Sequence, residues 1–381
     1  MKAGWEMKRL GDVVQLEYGK PLDRVYRKTD GHFPVYGANG VLSRSDEYYC
    51  DKPGIIVGRK GSAGEINLTE EKFLPLDVTY FVTFDARLYN LTFLYYLLIY
   101  LELPSFAKGV KPGINRNEVY AQDINVPPLL EQQRIVALLD EAFAAIATAK
   151  ANAEKNLKNA RALFDSYLNA VFAKRGDGWV ENKLVSLTSK IGSGATPRGG
   201  GESYKTEGTS LIRSLNVHDP GFRYSKLAFL DDGQADGLSN VIVQPGDVLL
   251  NITGASVARC CIVPDDVLPA RVNQHVSIIR PISSKLDSDF LHYLLISKYY
   301  KDQLLQTGAE GGATRQAITK AQIQDFTVGY PAERGEQQSI VSKLDALRKE
   351  TQHLESIYQK KIEALDVLKK SILHQAFNGE L

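Results

Sequence analysis

The sequence predicts a mixed α/β chain: two similar globular domains, each followed by one long helix. Three observations predict it. The stretch EQQRIVALLD at residues 131–140 returns as EQQSIVSKLD at 336–345, an offset of 205 residues that holds to the end of the chain. Leu163 matches Leu368, Ser166 matches Ser371, Leu168 matches Leu373 and Phe172 matches Phe377. Second, neither 131–175 nor 336–378 contains a Gly or a Pro, and each follows a proline-bearing stretch, Pro127-Pro128 or Pro331, that stops an earlier element. Third, the segments before each helix repeat loosely, with drifting offsets: KPGIIVGRKGSAG at 52–64 resembles QPGDVLLNITGAS at 244–256, FLYYLL at Phe93 resembles FLHYLL at Phe290, and Trp5 with Leu10 answers Trp179 with Leu184. Constant register means one rigid, ungapped structure, and drifting register means loops of different length. The expected organisation is a domain at 1–130, a helix at 131–175, a domain at 176–335 and a helix at 336–381.

Taken in order, the first domain offers FPVYG, GIIVGR and VTYFVTF as strands, and the second offers SLIRSL, DVLLNI, ARCCIV and HVSIIRP. The pairs Pro53-Gly54 and Pro245-Gly246 start tight turns into a strand. FLYYLL and FLHYLL read as short buried helices. Each domain is therefore expected to hold a small sheet with many polar loops.

The long segments carry a 4-3 apolar spacing. In the second it runs through Ile340, Leu344, Leu347, Leu354, Tyr358, Leu365, Leu368 and Ile372. In the first it runs through Ile135, Leu139, Ala142, Ala149, Ala153, Leu163 and Tyr167. At about 1.5 Å per residue each helix is roughly 65 Å long. The two pair most simply as a coiled coil, in which the large Leu347 and Leu354 answer the small Ala142 and Ala149. Asn156 and Lys361 interrupt the seam as polar positions.

Composition narrows the function. The 381 residues are 44% hydrophobic and 24% charged, with 46 basic and 45 acidic side chains and a net charge of +1. A neutral sum leaves nucleic acid open, since binding needs a local basic face. The three cysteines, Cys50, Cys260 and Cys261, make neither a disulfide framework nor a C-x-x-C zinc pair, and fit a reducing cytoplasm. The N-terminal MKAGWEMKRLGD has no apolar core and no run of eighteen apolar residues occurs, so a cytoplasmic chain with no membrane partner is expected.

The loops carry the donors that reading of DNA requires. After the first Pro-Gly strand come Arg59, Lys60 and Ser62 among glycines, and in the second copy Asn251, Thr253 and Arg259. Glycines let a backbone approach phosphate, while Arg, Ser and amides meet phosphates or base edges. The same residues also suit an ordinary hairpin turn. Other basic or polar loops are Lys20 with Arg24, Arg27 with Lys28, and Lys108, Lys111 and Arg116. In the second copy they are Ser193, Thr196 and Arg198, then Arg213 and Asn216, then Arg315 and Gln316. Asn273, Gln274 and His275 add amides suited to bidentate contact with adenine.

With INVPPLLEQQRI, the paired EQQ–LD segments, the two Pro-Gly loops and the duplicated layout on the page, the whole chain resembles the specificity subunit of a type I restriction-modification system. That resemblance implies two recognition domains, each reading half of a bipartite site in double-stranded DNA. It implies an antiparallel coiled coil that acts as a spacer, and a pseudo-two-fold layout. It implies docking of two modification subunits that use S-adenosylmethionine to methylate adenine, and, through them, restriction subunits that use ATP and Mg. No cofactor or metal and no catalytic residue is then expected in this chain. The second domain–helix junction departs from the pattern, with YPAERGEQQ where the first has VPPLLEQQ.

Rival functions lack their motifs. There is no Asn/Asp-Pro-Pro-Tyr/Phe tetrapeptide for a methyltransferase, and no G-x-x-x-x-G-K-[ST] for ATP. The six histidines are scattered. A coiled-coil scaffold that binds only proteins explains the helices, but not the basic loops that accompany them.

Overall fold

A computed structural model describes residues 4–197, 199–309 and 317–381. The chain divides into two compact units, one of residues 1–154 with 359–381, the other of residues 155–358.

In the first unit the chain enters on β1 (Glu6–Arg9) and leaves on β9 (Asp123–Val126), and these two strands pair antiparallel, Glu6 opposite Val126. Between them lie β2 (Val14–Tyr18), β3 (Phe33–Gly37), β4 (Gly40–Ser45), β5 (Gly54–Gly58), β6 (Ile66–Thr69), β7 (Leu74–Pro75), β8 (Thr79–Phe84), and helices α1 (Leu91–Tyr100) and α2 (Arg116–Tyr120). They form a four-stranded antiparallel sheet, β2-β8-β5-β6, and a three-stranded one, β4-β3-β7, in which β3 and β7 run parallel. The core follows from the apolar runs. Ile55 and Val57 of β5, Leu16 of β2 and Phe93, Leu94 and Leu97 of α1 are fully buried together. The long helix α3 (Leu129–Lys174) adds Ile135 and Leu139, and the end of α9 (Arg334–Asn378) adds Leu373, Ala376 and Phe377.

The second unit repeats this plan with β10 (Trp179–Lys183), α4 (Leu184–Leu187), β11 (Thr188–Ser193), β12 (Thr209–Ile212), β13 (Ala228–Leu230), α5 (Asp232–Asp236), β14 (Val248–Asn251), β15 (Cys260–Ile262), β16 (Ala270–Val272), β17 (Val276–Pro281), α6 (Ser288–Ile296), α7 (Lys298–Ala309), α8 (Lys320–Asp325) and β18 (Thr327–Pro331). The sheets are β11-β17-β14-β15, β13-β12-β16 and the entry–exit pair β10-β18. Strand for strand these match the first unit, down to one parallel pair, β12 with β16. The expected strands and short helices are present. The expected single small sheet is in fact three sheets in each unit, because the chain's entry and exit make a ribbon of their own. The core here takes Leu168 and Phe172 from α3 and Leu344 from α9, the positions 205 residues away from Leu373, Phe377 and Leu139.

Two long helices are observed, 46 and 45 residues, and in each unit their segments run antiparallel. Lys150 pairs with Asp366 at 2.6 Å in the first unit and Arg161 with Glu355 at 3.0 Å in the second. In that register Leu347 and Leu354 do not face Ala142 and Ala149. The buried seam of α3 runs at sevens through Leu139, Ile146, Ala153 and Ala160. Leu163, Tyr167 and Leu368, expected in the seam, are exposed. The 3.5-residue period kept on the partner's face rotates those positions outward.

The sequence motif EQQ acquires a structural meaning. Gln132 is fully buried in the first turn of α3. Its side-chain amide donates to the Leu88 and Pro127 carbonyls at 3.0 and 2.9 Å, and its carbonyl accepts from the Asn90 N–H at 2.8 Å. Gln337 does the same for Lys285, Pro331 and Asp287 at 3.0, 2.9 and 2.8 Å. Asn90 and Asp287 cap α1 and α6. One glutamine thus ties helix root, exit strand and domain helix together in each unit, satisfying backbone groups that burial otherwise strands.

Candidate nucleic-acid interface

Some of the expected site residues lie at one end of the four-stranded sheet in each unit, whereas Lys28 bridges to Arg44 of β4. In the first, the C-terminal ends of β2 and β5 flank the start of β8, with Tyr18 opposite Tyr80 and Gly58 opposite Thr79. The loop 58–64 turns there. Its Arg59 donates through Nε and Nη2 to the Asp77 carbonyl at 3.0 and 2.6 Å, which fixes the guanidinium and leaves Nη1 free. A second loop, 108–113, closes on itself through paired Lys108 and Gly113 backbone bonds, and the Pro112 carbonyl accepts from the Gly61 N–H at 2.9 Å. Half-exposed Tyr18 lies between the guanidiniums of Arg59 and Arg116, 5.3 and 5.1 Å from its ring centre. Lys20 sits 3.8 Å over the ring of Tyr49. Tyr80 beneath them is pushed up to about 12, first by burial and then by the Tyr18 hydroxyl.

Not every cation is available. Lys108 is held by Glu118 at 2.8 Å, and Arg27 donates to the Leu22 carbonyl at 2.8 and 3.1 Å. Lys28 bonds Asp46, whose carboxyl is held at about 2 by that ammonium and by His32. Among the described residues the charged groups of Arg24, Lys60, Lys111 and Arg259 form no hydrogen bond or ion pair, and the Ser62 hydroxyl is likewise free.

In the second unit the matching sheet end has Ser193 opposite Ser277 and Asn251 opposite Val276. Thr196 bonds Gln274, and the Thr253 hydroxyl meets His275 Nδ1 at 2.6 Å. Gly194 N–H donates to the Asn273 carbonyl at 3.2 Å. Arg213 bonds the Lys226 carbonyl and stacks over Tyr204, 5.1 Å from its centre, with a buried Nε that has no partner. Arg198, Arg315 and Gln316 lie outside the described residues.

Three expected readers prove to be internal. Asn216 is fully buried, accepting from the Arg213 N–H at 3.1 Å and donating to the Arg223 carbonyl at 2.9 Å. Asn251 is fully buried, its amide donating to the Ser214 carbonyl at 2.9 Å and the Ser256 hydroxyl at 3.2 Å. Asn273 is buried and accepts from the His275 N–H at 3.0 Å. The Asn216 and Asn251 amides are turned inward and shape the loops, while the Asn273 Nδ2 has no protein partner among the described residues and is not itself a buried atom.

The structure also moves the internal alignment by one residue. Gly58 exchanges backbone bonds with Glu65 and Gly64 as Asn251 does with Arg259 and Ala258, and Ile114 N–H bonds the Arg59 carbonyl as Ile318 N–H bonds that of Ile252. Arg59 is therefore the counterpart of Ile252, and the second-unit cation in this loop, Arg259, stands where the first unit has Glu65. The two surfaces share a frame and differ in chemistry.

No group of His, Cys, Asp or Glu suited to a metal occurs among the described residues, and no described helix is long and apolar enough to cross a membrane. A family model for the type I restriction modification DNA specificity domain matches residues 2–159 and again 203–364. The chain belongs to that family. As a member of the specificity family it is 24% identical over 408 residues to the MjaVIII specificity subunit of Methanocaldococcus jannaschii, covering 99% of this chain and 93% of the relative. It is 22% identical to the EcoBI specificity subunit of Escherichia coli, over 95% and 80% of the two chains. Among solved structures, a chain from a study of complex assembly and conformational transition of the type I R-M system matches with a TM-score of 0.77 at 20% identity, covering 100% and 99%. The HsdS subunit from Thermoanaerobacter tengcongensis matches at 0.63 and 21% identity, covering 100% and 98%. The twice-matched model and the internal repeat of this specificity-family chain describe the same duplication.

Proposed function

We propose that this chain is the non-catalytic DNA reader of a type I restriction-modification complex. Domains at 1–130 and 176–335 each read half of a bipartite double-stranded site through the loops at the sheet end described above. The helices at 131–175 and 336–381 act as the spacer between half-sites, docking two modification subunits and, through them, restriction subunits. S-adenosylmethionine, ATP and Mg belong to those partners. The setting is the cytoplasm.

The observation that carries this reading is the recurrence of one frame with two chemistries. Equivalent sheet ends present Arg59, Lys60 and Tyr18 in one unit and Thr196, Thr253, Gln274 and His275 in the other. Unpaired cations beside fixed donors suit phosphate and base contacts respectively. The test is co-expression with the cognate modification subunits, followed by mapping of methylated adenines across the host genome. A split motif with a fixed unspecified gap is the expected result. No adenine methylation, together with binding that does not weaken as salt rises, overturns the reading and leaves a protein-only scaffold in its place.

A further inference from the structure

The loop 108–113 of the first unit carries a residue that neither fold nor ion pairing explains. Val110 is fully solvent-exposed, 105% of its reference area, at the tip of a turn flanked by Lys108, Gly109 and Lys111. The turn is not slack. The backbones of Lys108 and Gly113 exchange both hydrogen bonds, at 3.0 and 3.1 Å, Gly109 takes the positive φ (94°) that the bend needs, and Pro112 locks its own φ and is anchored to Gly61. The tip is thus a stiff projection standing beside Arg59 and Lys60, with an apolar, β-branched side chain whose χ1 is already restricted. A side chain held rigidly in water gains nothing for the fold, but loses little entropy when something apolar covers it.

We propose that Val110 is a specificity-determining contact that recognises the C5-methyl of a thymine in the half-site read by the first unit. This inference rests on the DNA-reading function above. The major groove offers one apolar feature, that methyl, and small apolar side chains are its usual match. Lys111, whose ammonium is unpaired among the described residues, and Lys60 supply the adjoining phosphate contacts that hold such a tip in a groove. Val is too small to prise a base step open as larger wedges do, so methyl contact is the reading that its size favours.

The assay uses the complex of this chain with its modification subunits, and a target duplex in which each thymine of the first half-site is replaced in turn by deoxyuridine, removing only the methyl. Wild-type complex should lose about fourfold in affinity at one position, the value of one buried methyl group. Val110→Ala should lose about as much on the thymine duplex, and then be indifferent to uracil at that position. Lys111→Ala should weaken thymine and uracil duplexes alike and flatten the salt dependence. If wild type tolerates uracil at every position, or if Val110→Ala remains sensitive at the same one, the assignment is wrong while DNA reading stands. If wild-type complex fails to bind its target above random DNA, the functional reading itself fails. Val110 touches nothing, so its variant keeps the fold.

Discussion

Arg334 pairs with Asp287 at 2.8 Å, at the root of the C-terminal helix, while its Nη1 also reaches Gln337 at 3.2 Å. The positions 205 and 197 residues earlier are Leu129 and Asn90. Both Asn90 and Asp287 cap the domain helix with a side-chain oxygen, but only the aspartate brings a charge, and only its junction brings an arginine to meet it. The unusual YPAERGEQQ sequence is therefore the compensating half of an Asn-to-Asp difference between the copies.

That pairing predicts a rescue. Arg334→Leu should destabilise the second unit by about 1–2 kcal/mol, since it leaves a mostly buried carboxylate without its partner. Arg334→Leu with Asp287→Asn, which copies the first junction, should recover most of the loss. Denaturant midpoints of the two variants check this, and equal loss in both would refute the coupling.

The glutamine clasp predicts a larger effect. Gln132→Leu or Gln337→Leu keeps volume but strands one N–H and two carbonyl groups in each case. The expected cost is about 1–3 kcal/mol, read as a lower midpoint of chemical unfolding. Gln133, exposed on the neighbouring position of α3, should be neutral on replacement by Leu or Ala.

On the candidate interface, Lys60→Ala should weaken binding to all DNA and reduce the slope of log K against log salt by about 1. Arg59→Ala should instead relax one base of a single half-site by about 1–3 kcal/mol, because its guanidinium is aimed by Asp77. Asn251→Ala, by contrast, should lower stability and leave the sequence preference alone. Binding titrations at several salt concentrations with single-base target variants separate the three.

His292 makes acid stability testable. Burial, then the nearby Arg348, holds its imidazole down at about 4, from an ordinary 6.5, and its Nε2 has no partner. The unfolded chain takes up a proton below pH 6.5 that the folded chain refuses until about 4. Stability is therefore full above 6.5 and lost as pH falls across that window, by about 3 kcal/mol. His292→Leu should flatten this loss. Midpoints measured at pH 7.5 and pH 5 decide, and an unchanged slope would place the acid sensitivity elsewhere.

Much of the fold was legible because the chain carries its own comparison. The constant 205-residue offset exposed both helices, and the repeated Phe-Leu-x-Tyr-Leu-Leu exposed α1 and α6. Beyond Leu139 the seam was legible only in part, at Ala153 but not at Leu163 or Tyr167, since a run rich in alanine offers several equally apolar stripes and only the partner selects one. At the candidate interface, composition singled out Arg59, Lys60 and Ser62, and the fold sets all three in one loop, 58–64, at the sheet end. Asn216 and Asn251 were misjudged, because an amide in a polar loop has the same sequence whether it points out or in. The Arg59 counterpart was misplaced by one residue, because the stretch from the Pro-Gly turn to the strand end is one residue longer in the second unit, Gly246 to Asn251 against Gly54 to Gly58, and short strands leave alignment free to slip. Gln132 and Gln337 were visible as letters of a repeated motif, and only their burial reveals what they hold.

The two-stranded ribbons at the base of each domain, β1 with β9 and β10 with β18, have a consequence for how such chains diversify. Everything from Leu10 to Gln122 hangs from strand ends held side by side, and everything from Leu184 to Phe326 likewise. Replacement of the intervening sequence, even by one of different length, leaves both attachment points where they were. Each domain is in effect a cartridge, whose contents can be exchanged as one block while the strands that hold it stay the same.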